Sequence, residues 1–137
     1  MAGETNLAKL LHSMTPHLNP GQYVFCCVAD DHDCSSLQPL VSVRELEGLT
    51  LVLPRAVADV HGLDYDYVAA WITLEVHSSL AAVGLTASFS AALAQAGISC
   101  NVVAGFHHDH IFVASESAER ALSTLHALSA ASTPEPA

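Results

Sequence analysis

Val68-Ala69-Ala70-Trp71-Ile72-Thr73-Leu74-Glu75-Val76 alternates strictly, with Val68, Ala70, Ile72, Leu74 and Val76 on one side and Ala69, Trp71, Thr73 and Glu75 on the other. A period of two marks a β-strand, because successive side chains point to opposite faces. The more polar second side predicts a half-buried strand. Downstream, Leu85, Phe89, Ala92, Leu93 and Ala96 mark one face of a helix that Gly97 ends. Ile98 to Phe106 reads as a strand, His107 to His110 as a polar turn, and Ile111 to Ala114 as another strand. Ser115 is the expected N-cap of a last helix, with Glu116 and Glu119 near its positive end and Ala118, Ala121, Leu122, Leu125 and Leu128 as its buried stripe. The order β-α-β-β-α over Val68 to Leu128 is most of a ferredoxin-like βαββαβ unit.

Upstream, Leu7, Leu10, Leu11, Met14 and Leu18 recur at helical spacing and predict an amphipathic helix stopped by Asn19-Pro20-Gly21. Tyr23 to Val28 is β-prone, Asp30 to Ser36 is polar and turn-rich, and the loop Asp30 to Pro39 stands where a helix would be expected. Leu40 to Leu46 and Leu49 to Leu53 flank Glu47-Gly48 and read as a hairpin, and Pro54 opens a helix that Gly62 ends. Hairpin-then-helix thus occurs twice, a weak internal repeat. The expected fold is α+β: two related halves on one antiparallel sheet. The divisions fall at residues 1–65, a degenerate first module with a leading helix, 66–130, the second module, and 131–137, a flexible tail.

Composition narrows the function. The chain has 137 residues, 51% of them hydrophobic, with 4 basic against 14 acidic residues and a net charge of −10. A nucleic acid is a poor partner, because phosphate neutralisation needs Lys and Arg that are scarce here, and an anionic membrane surface is disfavoured for the same reason. No signal-like leader and no membrane-length apolar run is visible. Cys26, Cys27, Cys34 and Cys100 show no C-x-x-C spacing and read as reduced thiols in a cytoplasmic protein.

Several segments, taken together and in order, resemble the small ACT-domain proteins built as a tandem pair. They are Glu45-Leu46-Glu47-Gly48-Leu49-Thr50-Leu51-Val52-Leu53, Ile72 to Leu80, Ala82 to Ala87, Gly97 to Gly105, and His108-Asp109-His110-Ile111-Phe112-Val113. The same subfamily includes modules of aspartate kinases and of CASTOR-type arginine sensors. The resemblance covers roughly residues 7–128. It implies ferredoxin-like ACT modules, side-by-side association, and an amino acid or similar small metabolite bound at a module or subunit interface. In such domains the ligand sits by the loop after the first strand and the N-terminus of the first helix. That position corresponds here to His77, Ser78, Ser79, Val83, Gly84, Leu85 and Thr86, with Asn101 as a side contact from a neighbouring strand. Elementary physics favours the same loop: a helix N-terminus offers unpaired N–H groups and a positive dipole end to a carboxylate.

Rival chemistries are weaker. His107-His108-Asp109-His110 is the one metal-like cluster, with His77 able to approach from an adjacent strand end, but neighbours on a hairpin point to alternating sides. The cysteines have no basic neighbour to lower a thiol pKa. Glu45 with Glu47, and Asp64 with Asp66, read as solvated edges and turns, and Glu75 as a strand residue near the loop. No phosphate loop or nucleophile elbow is present. The expectation is a non-enzymatic ligand-binding regulator that needs no cofactor and forms a homodimer through sheet edges with few lysines. It would regulate any protein partner in trans. A structural interaction module without ligand is the second reading, and a metal-binding protein using His107–His110 the third.

Overall fold

The computed structural model describes residues 6–76 and 80–132. His77, Ser78 and Ser79, three of the expected ligand contacts, lie outside the described residues, as do residues 133–137 of the expected tail.

The chain opens with helix α1 (Leu7–Ser13), capped by Asn6, whose side chain accepts from the Lys9 amide at 3.1 Å. The helix stops well short of the expected Leu18. Met14 is already extended, and Thr15–Leu18 forms strand β1. Pro16 accounts for the difference, since its ring removes a donor from a helix interior and disfavours helical geometry at Thr15. Strands β2 (Tyr23–Val28), β3 (Val41–Glu45) and β4 (Gly48–Pro54) follow, then the short helix α2 (Arg55–Val60). The second half runs β5 (Val68–Glu75), α3 (Leu85–Gln95), β6 (Cys100–Ala104), β7 (Asp109–Ala114) and α4 (Ala118–Ala131). A 3-10 turn at Ser115–Ser117 precedes α4, so Ser115 is not the cap of that helix. Asp109 and His110, expected in a turn, are the first residues of β7.

All the described strands join one antiparallel sheet in the order β3-β4-β2-β5-β7-β6, with β1 also paired to β5. Strand β5 is the joint. On one side it pairs with β7. Its other side is shared: Val68 and Ala69 pair with Val24 and Tyr23 of β2, while Ile72 to Glu75 pair with Leu18 to Thr15 of β1. Between these two ladders the Asn19 backbone N–H donates to the Trp71 carbonyl at 2.9 Å.

Two ferredoxin-like halves result, each completed by a strand from outside its own run of sequence. In the second half β5, α3, β6, β7 and α4 need a fourth strand beside β5, and β1 supplies it. In the first half the loop between β2 and β3 stands where a helix would be expected, and the start of β5 serves as fourth strand beside β2. The sequence expectation of an α+β protein of two ferredoxin-like modules on an antiparallel sheet is what the structure shows.

The helices lie on one face. Leu10, Leu11 and Met14 join Ile72, Leu74, Phe89, Leu93, Ile111, Val113 and Leu125 in the main core, and Val24, Cys26, Leu51, Leu53 and Ala58 form a second core under the first half. The other face carries Tyr23, Val52, Ala69 and Phe112. Strand β5 is therefore buried on both sides rather than half-buried: Ala69 is fully covered and even Thr73 is only 9% exposed.

Because α1 and β1 complete the core of the second half, Leu10 (1% exposed) should behave as a core residue. Leu10→Ala is expected to lower stability by about 2–5 kcal/mol in urea denaturation, the range for buried leucines. A loss below about 1 kcal/mol would place α1 on the surface as an ornament.

Candidate functional site

Three features belong to the end of the sheet where β5 leaves and β7 enters or to the helix that follows it. The first is the start of α3. Gly84 precedes the helix with φ +103, a region that L side chains rarely adopt, and a Cβ there would lie 3.0 Å from Leu7 Cδ2. Glycine lets the loop pass against α1. The start of this 11-residue helix has no side-chain cap from its N-cap residue and no acidic residue in its first turn to offset the positive dipole end. Val83 (85% exposed) and Thr86 face outward, whereas Leu85 is buried and anchors the helix to the core.

The second feature is Asp109. Its strand position is opposite Leu74 on β5 and Ala104 on β6, and Leu74 belongs to the helix-covered core. Asp109 therefore points to the helix side at the end from which the β5–α3 loop departs. It is 9% exposed. Burial pushes its carboxyl above the ordinary aspartate range, against a smaller opposing pull from His110 and His108. No hydrogen bond or ion pair satisfies it among the described residues. The third feature is His108, whose Nδ1 is buried with no hydrogen-bond partner.

The next residue along goes the other way. His110 faces the helix-free side, where its Nδ1 accepts from Trp71 Nε1 at 3.1 Å and lies 3.3 Å from Thr73 Oγ1. Asn19 Nδ2 donates to that hydroxyl at 3.0 Å and to the Trp71 carbonyl at 3.3 Å. Burial lowers the His110 pKa, with His108 acting in the same direction, so the ring is neutral at pH 7 and free to accept. The histidine cluster read from the sequence as a metal candidate is split by strand alternation. Among the described residues, no group of three or more His, Cys, Asp or Glu side chains comes together as a metal site.

The expected ligand set also divides. Val83, Gly84, Leu85 and Thr86 are contiguous at the start of α3. Asn101 lies opposite Phe112 on the helix-free face, in a hollow of about 370 Å³ shared with Phe25, Tyr67 and Ser99. It is not brought to α3. Conversely, Asp109 was not read as a ligand contact. The signal was available: Asp109, Ile111 and Val113 share one parity, which places a carboxylate at a core position of β7.

Models of the ACT domain match residues 2–70 and 67–127. Among curated proteins nothing matches the chain. A Vibrio cholerae protein of unknown function, described as a possible transport protein, is 50% identical with a TM-score of 0.83, over 90% of this chain and 95% of that one. An Agrobacterium tumefaciens protein is 18% identical with a TM-score of 0.66, over 85% and 89%. The ligand-free regulatory subunit of aspartate kinase from Thermus thermophilus is 10% identical with a TM-score of 0.64, over 86% of this chain and 97% of the subunit.

The raised carboxyl of Asp109 has a thermodynamic consequence. A folded-state pKa above the unfolded one means that the native state binds more protons in the interval between them, so stability falls as pH rises through it. Asp109→Asn is therefore expected to stabilise the protein at neutral pH by up to about 1 kcal/mol, because solvent still screens a partly buried carboxylate. The gain should vanish below the ordinary aspartate range. Thermal melts across pH check this, and a variant less stable at pH 7 would show that Asp109 is satisfied.

Proposed function

The chain belongs to the ACT-domain family, one domain in each half, and on that premise we propose that it is a non-catalytic regulator that binds an amino acid or similar small metabolite. The observation that carries this reading is the pairing of opposite polarities at one end of the sheet. An uncapped helix start suits a carboxylate, and a desolvated, unpaired aspartate suits an ammonium. An α-amino acid carries both groups on one carbon. A zwitterion would relieve the cost that each feature carries alone.

In this reading Gly84 and Thr86 present the helix start and the exposed Val83 flanks it, and His77, Ser78 and Ser79, outside the described residues, remain part of the proposed ligand set. Leu85 holds the helix in register from below. Asp109, with the orphan Nδ1 of His108 beside it, reads the amino group. Asn101 takes no part within the same module.

Occupancy is transmitted by association. Leu80 and Val83 are exposed apolar side chains flanking the loop, suited to cover by a second copy. Strands β3 and β6 are the free edges of the sheet, and Val43 on β3 is 48% exposed. We infer a homodimer in which ligand binding favours one interface arrangement over another, by as much as its affinity differs between them. The Thermus thermophilus regulatory subunit, nearly all of which this chain matches in fold, is of comparable extent. In this reading the protein is cytoplasmic, regulates a separate partner in trans and uses no cofactor; the name of that fold relative, a regulatory subunit, is in keeping with a regulatory role. No described helix is long and apolar enough to cross a membrane.

A thermal-shift screen against the standard amino acids tests the reading. One of them is expected to raise the melting temperature saturably, since ligands that bind only the native state must stabilise it. Asp109→Asn should weaken that ligand at least about tenfold while itself folding well. No shift with any amino acid would sink the reading and leave a purely structural interaction module. Gel filtration at micromolar concentration should give twice the 14.4 kDa chain mass, and a monomer would remove the subunit interface from the mechanism.

A further inference from the structure

We propose that the helix-free face of the sheet holds a second binding site, for a neutral planar molecule that carries a hydrogen-bond acceptor. The site is separate from the one at α3 and stands or falls independently of it.

On that face Ala69 is fully buried on β5, and Phe25 from β2 and Phe112 from β7 meet edge to face with centroids 5.6 Å apart as the sheet curls. The curl brings one sheet edge toward the other: Leu40 and Val41, at the β3 edge, line the same hollow as Val103 and Gly105 at the β6 edge. The hollow measures about 360 Å³, within the size range of small-molecule sites.

Its wall is aromatic. The part-exposed Trp71 stacks nearly parallel on the fully buried Phe112, 17° between planes and 6.4 Å between centroids, and Tyr23 braces Trp71 edge-on at 5.3 Å. The accessible part of the indole favours another flat ring by stacking and by burial of apolar area.

One polar side chain joins these walls, and its orientation is fixed. An indole N–H only donates, so His110 Nδ1, 3.1 Å from Trp71 Nε1, must be the unprotonated nitrogen. The imidazole proton then sits on Nε2, which has no partner among the described residues. Nε2 lies over Gly105, where a Cβ would come within 3.2 Å of it and 2.8 Å of the His108 carbonyl. Glycine therefore keeps the wall open beside the only donor. No Lys, Arg, Asp or Glu lines the hollow, so a charged ligand would lose its hydration without gaining a counter-charge. A neutral carbonyl or ring nitrogen fits that single donor.

The test uses Trp71, the one tryptophan of the chain, whose indole N–H gives a single resonance at the site. Benzamide added to the ¹⁵N-labelled full chain is expected to shift that resonance saturably, with a dissociation constant of about 1–10 mM for so small a probe. Benzoate and benzylamine, its charged counterparts, should bind at least about fivefold more weakly. Val103→Phe, which fills the hollow from the β6 edge, should abolish the benzamide shift. If that variant fails to fold, Val41→Phe fills it from the β3 edge. No saturable shift, equal binding of all three probes, or a shift unchanged in the filled variants would overturn the proposal. So would an indole resonance that moves with protein concentration and ignores benzamide, which would make a second copy of the chain the occupant.

Discussion

Every other part of the structure depends on β5 being shared. A ferredoxin-like module needs four strands; the second half has three of its own, and the first half keeps only three of its four because β1 pairs with β5. The first half borrows Val68 and Ala69, the second borrows Thr15 to Leu18, and both loans are drawn on the same edge of β5. The two halves are therefore not beads that happen to touch. Unpairing β1 strips the edge of β5 in the second half, and shifting β5 by one residue would move its whole set of core side chains to the wrong face of both. Strict alternation over Val68 to Val76 is what such a joint requires.

The same alternation distributes the chemistry. Asp109 and His110 are adjacent in sequence, yet one points among the helices and the other onto the open face. A histidine-rich string that suggests a metal in one dimension becomes two unrelated polar environments in three. The environments differ in kind. Asp109 is partly desolvated and has no hydrogen bond or ion pair among the described residues. His110 is desolvated but held on its Nδ1 side by Trp71 and by Thr73, itself fixed by Asn19. The first arrangement sacrifices stability for an available charge, and the second spends hydrogen bonds to hold a neutral ring in one tautomer.

How much of this was legible follows from the range of the forces involved. Helix α3, its glycine stop, the β3–β4 hairpin and the module order rest on local periodicity and turn chemistry, and the sequence displays them directly. The end of α1 was misread because Leu18 keeps helical spacing from Leu11 and Met14. Pro16, which decides the matter, was outweighed by the apolar pattern. The double burial of β5 was hidden for a different reason. Thr73 and Trp71 look like solvent-facing residues until the sheet curls over them, and curl arises from contacts such as Phe25 with Phe112 that lie far apart in sequence. Within the expected ligand set, the contiguous residues at Val83 to Thr86 stayed together because one helix start holds them. Asn101 parted from them because its strand parity points it the other way.

Parity also bears on how the two faces can influence each other. The hairpin β6–β7 presents Asp109 to one side and His110 to the other through a single peptide unit, and strands in a packed sheet shift as units rather than bend residue by residue. A ligand that draws Asp109 toward the start of α3 acts on the strand whose next residue is tied to Trp71 and Thr73. Those two belong to β5, the strand common to both halves. Strand β5 thus connects the β5–α3 loop, the open face and the neighbouring module through covalent chain and backbone ladder alone. The fold contains a short, continuous structural connection between Asp109 and the open face through β5 and β7.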